Sequence, residues 1–402
     1  MRILFLTSDM PYPARSGGTI KTMSVLQHLR RDHQVQVLCF RPGPLSPEQE
    51  TWAAEIGPMV TVELRRGRSA WNLGRSYGAG VPMSVLRNRS RRMFRLASER
   101  LASGGFDAAF ADGWLMAQYV PPGFHGLKVL HEHNAEHVMW RRQAELETSF
   151  ARRALVRMEY TRVRAYESAT VQRFDEVFAV SEEDRRALES LGPMPGSIRL
   201  LPNVPQAGLL DRPPREPLAE ATLLFLGTLG WPPNAAGLRS FLESGFPALR
   251  ARRPGVRFVV AGAGAPSWLV RLVSDTPGVE YAGPVRDAEP LYRRARAFLD
   301  VGVGGSGTRV KVLNAMARGI PVVSLPWGVE GLGTVPGEHA LVGRNQSELV
   351  DHLGEVLGDD ARWRALSESG RRLVRERYVP EVAFASLDAA LAASSDDLTR
   401  NR

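Results

Sequence analysis

Short apolar runs alternate with amphipathic stretches along almost the whole chain. Runs of this length, bounded by turn residues, predict buried strands, and their alternation with helical stretches predicts parallel sheets covered by helices. The predicted strands form two series, 3–6, 35–40, 60–64, 108–111, 129–130 and 177–180, and then 223–225, 258–261, 279–281, 297–301, 321–324 and 340–342. The predicted fold class is therefore α/β, with two Rossmann-like sheets.

A proline-rich, charged segment, 211–217, separates the two series and has the composition of an interdomain linker. We predict an N-terminal Rossmann-like domain over 1–205, a linker over 206–218 and a C-terminal Rossmann-like domain over 219–378. We expect the last segment, 379–402, to contain a helix that packs back on the first domain. A chain of 402 residues with 44% hydrophobic content can fill two such cores.

The cysteine content and the lengths of the apolar runs bear on where the protein works. The single cysteine, Cys39, lies in the apolar run 35–40, which predicts a buried thiol and excludes a disulfide within the chain. The opening run 3–6 is far too short for a signal peptide or a membrane span, and no later run approaches the required length. We expect a soluble or peripheral protein in the reducing cytoplasm.

The net charge of +9 comes mainly from arginine. One predicted helix and the residues before it hold a cluster of arginines, namely Arg65, Arg66, Arg68, Arg87, Arg89, Arg91, Arg92, Arg95 and Arg100. Such a patch fits the inner face of an anionic membrane or an anionic acceptor, and it equally fits a solvated helix face. Because no helix-turn-helix, zinc-finger or RNP-like pattern accompanies it, we expect no nucleic acid partner.

The segment 299–332 carries the strongest chemical signal in the chain. A glycine-rich turn with Arg309 and Lys311 leads directly into a predicted helix over 310–318, which Gly319 ends. Glycines let backbone N–H groups approach an anion, and the helix directs its positive dipole end at the same point. This arrangement predicts a phosphate-binding site.

The run G-x-G-T-R-x-K-x-L-x-A-M-A-x-G-x-P-V-V, followed by x-x-G-x-E-G, resembles the donor-binding segment of GT-B glycosyltransferases of family 4, the glycosyl transferases group 1. The resemblance implies two Rossmann-like domains facing each other across a cleft, with Arg309 and Lys311 stabilising the departing diphosphate. It assigns donor binding on this segment to Ser306, Gly307, Thr308, Asn314 and Glu330. Ser306 and Asn314 stand where the family usually carries the two glutamates of an E-x7-E pattern.

Other stretches are similar to the same family. In the string P-x-P-x-x-x-G-G after the first predicted strand, the resemblance places Gly17 and Gly18 beside the donor diphosphate and the acceptor, whereas a glycine pair alone would be an ordinary turn. The resemblance also assigns donor binding to Gly227, which follows the first strand of the second domain. Val285 lies in a loop, 283–287, whose backbone reads the nucleobase in the family.

The run 129–137, with the sequence VLHEHNAEH, follows a predicted strand at its carboxyl end, where open α/β sheets bind ligands. Three interpretations remain open. The pattern H-x-x-E-H from His133 to His137 would place two histidines one helical turn apart on a metal. The resemblance instead puts His133 near the reacting centre, with Asn134 and Glu136 holding the loop. The third interpretation is a polar network that ties the loop to a helix.

We predict a glycosyltransferase that moves a sugar from a nucleotide diphosphate sugar to a glycan, a lipid-linked or a small-molecule acceptor, in a setting such as bacterial polysaccharide biosynthesis. The resemblance implies retention of anomeric configuration, with the leaving phosphate assisting removal of the acceptor proton. It also implies no metal and no cofactor besides the donor substrate. The alternatives are an epimerase or phosphorylase on the same fold, and a catalytically degenerate protein that binds a sugar nucleotide or a partner.

Overall fold

A computed structural model describes residues 1–14, 16–67, 70–193, 196–304 and 309–400. The chain divides into two compact units, one formed by Met1–Pro202 together with Ala383–Arg402, the other by Asn203–Val382. The corresponding boundaries predicted from the sequence fall after residues 205 and 378.

The first unit is built on a parallel sheet of seven strands, and the first six correspond to predicted strands. They are β1 (Arg2–Thr7), β2 (Gln34–Arg41), β3 (Met59–Glu63), β4 (Ala108–Asp112), β5 (Leu127–His131), β6 (Glu176–Ala179) and β7 (Ile198–Leu200). Their order is β3-β2-β1-β4-β5-β6-β7, so the chain reverses its direction of travel across the sheet between β1 and β4. The seventh strand escaped prediction because it has three residues and pairs with β6 alone.

Helices cover both faces of this sheet, which explains why its central strands are continuously apolar. They are α1 (Gly17–Asp32), α2 (Pro47–Glu55), α3 (Ala70–Gly78), α4 (Met83–Arg87), α5 (Arg91–Ala102), α6 (Glu136–Leu146), α7 (Phe150–Val171) and α8 (Glu182–Glu189). The Ser181 side chain accepts a hydrogen bond from the Asp184 N–H and so fixes the start of α8. Cys39 is buried in β2, and burial raises the pKa of its thiol to about 12.

The second unit is built on a parallel sheet of six strands, all of which correspond to predicted strands. They are β8 (Thr222–Leu226), β9 (Arg257–Ala261), β10 (Val279–Gly283), β11 (Ala297–Asp300), β12 (Val322–Ser324) and β13 (Leu341–Val342). Their order is β10-β9-β8-β11-β12-β13, so the reversal falls between β8 and β11. The two parallel sheets confirm the predicted α/β class with two Rossmann-like halves.

The helices of the second unit lie on both faces of its sheet. They are α9 (Pro232–Ser240), α10 (Phe246–Arg252), α11 (Ser267–Asp275), α12 (Glu289–Arg294), α13 (Val310–Ala317), α14 (Pro326–Val329), α15 (Gln346–Gly358) and α16 (Asp360–Arg377). A π-helical turn, Phe241–Gly245, joins α9 to α10. Helix α13 ends before Gly319, whose φ of 73° favours glycine, as the sequence indicates.

The C-terminal segment forms α17 (Pro380–Ala383) and α18 (Ala385–Arg400). Phe384 and Leu387 are buried in the first unit, and His28 Nε2 on α1 lies 2.7 Å from Asp388 Oδ1 on α18. The last helix therefore belongs structurally to the unit in which the chain begins. Among the described residues, no helix has both the length and the apolar character needed to cross a bilayer.

Candidate active site

The carboxyl ends of β8 and β11 lie side by side where the second sheet reverses its strand order. Open parallel sheets bind their ligands at such a switch point. Strand β11 ends at Asp300, and Lys311 lies in the first turn of α13. Lys311 Nζ donates to Asp300 Oδ1 at 2.8 Å and to Asn234 Oδ1 at 3.1 Å. The structure thus places the predicted catalytic lysine in a defined position at the switch point.

The electrostatics of Lys311 reflect its partly enclosed position. Burial lowers the pKa of Lys311, and the adjacent Asp300 carboxylate opposes that shift. The ammonium also lies 4.5 Å from the centre of the Phe225 ring, within range of a cation–π interaction. A cation that is already oriented in this way needs little reorganisation to stabilise developing negative charge.

Glycines let the backbone approach closely around this lysine. A Cβ at Gly227 would lie 3.4 Å from Asn234 Nδ2, and one at Gly302 would lie 3.0 Å from Asn234 Oδ1. Gly262 has a φ of 150°, and a Cβ there would overlap the carbonyl oxygen of Gly227. Gly227 therefore forms part of the wall beside Lys311, and its contact with a donor stays a prediction.

The second predicted cation, Arg309, is the N-cap residue of α13. Its guanidinium donates to the Gly304 carbonyl at 2.7 Å, which holds it beside the glycine-rich turn. Three predicted donor-binding residues of that turn lie outside the described residues, namely Ser306, Gly307 and Thr308.

The remaining predicted donor residues are Asn314, Val285 and Glu330. Asn314 is buried on α13, and its Oδ1 accepts a hydrogen bond from the Gln206 N–H at 2.8 Å. This oxygen therefore holds the segment that enters the second unit, and the ribose contact expected of Asn314 stays a prediction. Val285 and Glu330 are partly exposed, in the loop after β10 and at the end of α14, and their donor contacts likewise stay predictions.

A second polar cluster occupies the switch point of the first sheet. The strand register places Asp112 beside Thr7 on β1 and beside His131 on β5. Asp112 Oδ1 accepts from His131 Nδ1 at 2.9 Å and from His133 Nε2 at 2.8 Å, and its Oδ2 accepts from Thr22 Oγ1 at 2.5 Å. The predicted catalytic His133 thus has an aspartate partner that the sequence analysis missed.

The charge state of this cluster follows from burial. Burial alone would raise the pKa of Asp112, but His133 and His131 hold that pKa well below its ordinary value. Burial also lowers the pKa of His131 to about 3 and lowers that of His133. Both shifts favour the neutral form of the two histidines, and each histidine hydrogen-bonds the Asp112 carboxylate.

Two further ionisable groups are buried at the same switch point. Lys21 Nζ, on α1, has no hydrogen-bond acceptor within the described part of the chain, and burial lowers the pKa of Lys21 to about 7 despite nearby carboxylates. Glu132 is fully buried, and its burial, with Glu167 and Glu136 close by, raises the pKa of Glu132 well above its ordinary value. The cluster therefore carries less charge near neutral pH than its composition suggests.

The histidine run does not form the H-x-x-E-H metal pattern. His137 Nδ1 lies 2.5 Å from Glu167 Oε2, whereas His133 is bound to Asp112, so the two histidines have different partners. Glu167 Oε1 and Oε2 also accept from the N–H groups of Glu136 and His137, at 2.7 and 3.0 Å. This half of the run is a polar network that ties the loop and the start of α6 to α7.

A different set of three residues has the spacing of metal ligands. Asp112, His131 and His133 each offer one atom, and the three atoms lie within 4.8 Å of one another. The same atoms form the hydrogen bonds described above, so each already has a partner within the protein. The metal-free mechanism expected from the sequence stays a prediction.

Gly17 and Gly18 form the first turn of α1 beside this cluster. The Ser16 side chain accepts from the Thr19 N–H and caps the helix, which explains why the chain turns there. The nearest atom to a Cβ built at Gly18 would be Ser16 Oγ, at 4.0 Å, so packing does not require a glycine there. Its predicted contact with donor and acceptor stays a prediction.

Comparisons with known proteins bear on the fold and on the sequence of the second unit. Residues 220–359 match the family of glycosyl transferases group 1. The whole fold is similar to sucrose-phosphate synthase from Thermosynechococcus elongatus, with a TM-score of 0.70 at 18% identity over 98% of this chain and 100% of that one. It is also similar to S. aureus TarM, solved with fondaparinux, α-GlcNAc-glycerol and UDP, with a TM-score of 0.71 at 11% identity over 98% of this chain and 99% of that one.

A relative by sequence is an uncharacterized 44.6 kDa protein in the cps region of Klebsiella pneumoniae. It is 23% identical over 399 residues, which is 96% of this chain and 98% of the relative. The two parallel Rossmann-like sheets match the fold of GT-B glycosyltransferase structures. The match to the glycosyl transferases group 1 lies within the second unit and covers most of it.

Proposed function

We propose that the protein transfers a sugar from a UDP-activated donor to an acceptor in polysaccharide assembly. The observation that carries the proposal is the position of Lys311, held by Asp300 and Asn234 at the switch point of the unit that matches the family. The UDP bound to TarM supports the choice of nucleotide. The location of the Klebsiella pneumoniae relative in a cps region supports a polysaccharide product.

The chemistry needs a cation at the leaving group. The bond from the anomeric carbon to the donor phosphate breaks, a bond from that carbon to an acceptor oxygen forms, and UDP leaves with growing negative charge. Lys311 and Arg309 would offset this charge, and the first turn of α13 would add its dipole. With retention, the acceptor proton passes to an oxygen of the leaving phosphate. With inversion, a side-chain base takes that proton instead.

The test is a binding screen followed by turnover. Thermal unfolding of the full chain is measured with UDP, GDP, dTDP and ADP, and we expect UDP alone to raise the midpoint, because a ligand that binds the folded state stabilises it. Release of UDP from UDP sugars is then followed with an oligosaccharide acceptor, with and without EDTA, and NMR reads the anomeric configuration of the product. Stabilisation by another nucleotide alone, or UDP binding without release from any UDP sugar, contradicts the proposal.

A further inference from the structure

Helix α7 contacts the first unit along one side and for only part of its length. Its buried residues are Glu159, Val163, Glu167, Thr170 and Val171. None of the residues 150–158, the first two and a half turns, is buried. The start of α7 therefore presents a broad surface to the outside of the unit.

The outward side of these turns is apolar. Phe150, Ala151, Ala154, Leu155 and Met158 recur at helical spacing, and at about 100° per residue they share an arc of about 140°. Phe150 is 86% exposed, Leu155 51% and Met158 45%. We call this surface, these five residues, the α7 stripe. Leu146, at the end of the preceding helix α6, adds another apolar side chain that is 56% exposed.

Positive charge borders the α7 stripe on both sides. At the same helical spacing Arg157 falls beside Phe150 and Arg152 falls beside Leu155, and both arginines are exposed. The first acidic residue of the helix, Glu159, is buried and paired with Arg162 at 2.8 Å. The exposed turns 150–158 thus combine apolar side chains with arginines and carry no carboxylate.

We propose that the α7 stripe docks the first unit on an anionic lipid bilayer. A helix with an apolar face and an arginine border lies in the plane of a membrane surface, with its apolar residues at the boundary between headgroups and acyl chains. The arginines would then lie at the level of the lipid phosphates, where each basic residue strengthens the attraction.

The size of the surface favours a bilayer over a second copy of the chain. The three large side chains of the α7 stripe and Leu146, each of at most about 200 Å² and exposed to between 45 and 86%, together offer well under the roughly 800 Å² that each partner contributes to a standard protein interface. The arginine cluster on α5 and the residues before it is less suited to docking on a bilayer. On α5 a single exposed aromatic, Phe94, stands among the arginines, and Arg66 is engaged by Asp9 at 2.7 Å.

The experiment is co-sedimentation of the full chain with vesicles of phosphatidylcholine, alone or mixed with phosphatidylglycerol. We expect binding to the mixed vesicles that weakens with added salt. The double variant Phe150→Ser and Leu155→Ser should weaken it by about 100-fold, since two apolar side chains no longer enter the lipid. The double variant Arg152→Gln and Arg157→Gln should weaken it by about tenfold and reduce its salt dependence.

The matched control is Phe94→Ser on α5, which removes an aromatic side chain that is 47% exposed and should leave vesicle binding unchanged. Thermal unfolding checks that each variant is folded. The proposal is overturned if wild type ignores the mixed vesicles, if it binds neutral vesicles equally well, or if Phe94→Ser and not the stripe variant loses binding. It is also overturned if sedimentation velocity shows a lipid-free dimer that the stripe variant converts to a monomer.

Discussion

In each unit, the strand beside the switch point ends in a buried aspartate that orients one basic side chain. Asp112 ends β4 and holds His133, and Asp300 ends β11 and holds Lys311. A buried carboxylate in this position fixes the direction of its partner. The placement of His133 and that of Lys311 therefore each depend on a buried aspartate.

Replacement of Lys311 by methionine tests the donor site directly. The change keeps much of the apolar stem and removes the ammonium, so we expect UDP to bind about 10- to 100-fold more weakly, the range for loss of a charge-assisted hydrogen bond. Isothermal titration calorimetry of the full chain with UDP measures this. Lys128→Met is the matched control, because Lys128 pairs with Asp175 in the first unit. Equal affinity of both variants would place the diphosphate elsewhere.

The carboxyl group of Glu136 should make stability depend on pH. Burial, with Glu167 nearby, raises the pKa of Glu136 from 4.5 to about 8. Between these values the folded state holds a proton that the unfolded state releases, so this group's contribution to stability falls as pH rises through the window. Glu136→Gln cannot ionise, so its free energy of unfolding relative to wild type should increase with pH and level off above about 8.

Chemical denaturation of both proteins across that pH range provides the measurement. A difference between variant and wild type that stays constant with pH would show that Glu136 is ionised throughout, and it would contradict the raised pKa.

Lys311 and His133 could be selected from the sequence as candidate site residues, whereas their hydrogen-bond partners could not. Lys311 and His133 lie in recognisable strings, and the structure holds each in a defined position. Asp112 is 21 residues from His133 along the chain, and Asn234 is 77 residues from Lys311. Only the sheet order brings these pairs together. An aspartate that ends a buried strand was the available signal, and both Asp112 and Asp300 show it.

At the scale of elements, strands were easier to predict than exposed helix faces. An apolar run flanked by turns indicates a buried strand whatever surrounds it. Each predicted run accordingly coincides with a strand of the structure, and among the described strands the short β7 was not predicted. A helix face is harder, because exposure depends on which side packs. The arginines of α5 attracted attention in the sequence, yet the larger exposed apolar surface lies on α7, whose stripe is invisible until its buried side is known.

Helix α9 should be intolerant of alanine at one glycine. A Cβ at Gly237 would overlap the carbonyl oxygen of Val301, in the chain just after β11. Gly237→Ala should therefore lower the free energy of unfolding by about 1 to 3 kcal/mol, although alanine is the better helix former. Gly354 in α15 is the matched control, because a Cβ there meets nothing within 4 Å and the change should stabilise by up to about 1 kcal/mol.

Denaturant unfolding of the two glycine variants measures the contrast. Since Val301 adjoins Asp300, a shift of this segment should also weaken UDP binding in Gly237→Ala and leave it unchanged in Gly354→Ala. Equal stability of the two variants would mean that α9 can move away from the strand at little cost.

At the scale of the molecule, the first unit is completed by the last helix of the chain. Residues 203–382 form the second unit between the two parts of the first, so the first unit gains α18 only after the second has been traversed. The last helix contributes buried residues to the first unit alone. Changes in this helix should therefore alter the stability of the first unit and leave that of the second unchanged.

Removal of residues 383–402 should therefore destabilise the first unit selectively. Phe384, Leu387 and Leu391 are all buried, and at about 1.5 to 3 kcal/mol for each side chain their loss approaches the roughly 5 to 15 kcal/mol that stabilises a typical domain. In calorimetry of the truncated chain, the transition whose midpoint temperature UDP raises is assigned to the second unit, and we expect it to persist. The transition of the first unit should move to a lower temperature or disappear. Leu387→Ala should lower the free energy of unfolding of the first unit by about 2 to 5 kcal/mol. The exposed Ala389→Ser should leave both transitions unchanged. If truncation lowers both transitions equally, the two units do not unfold independently.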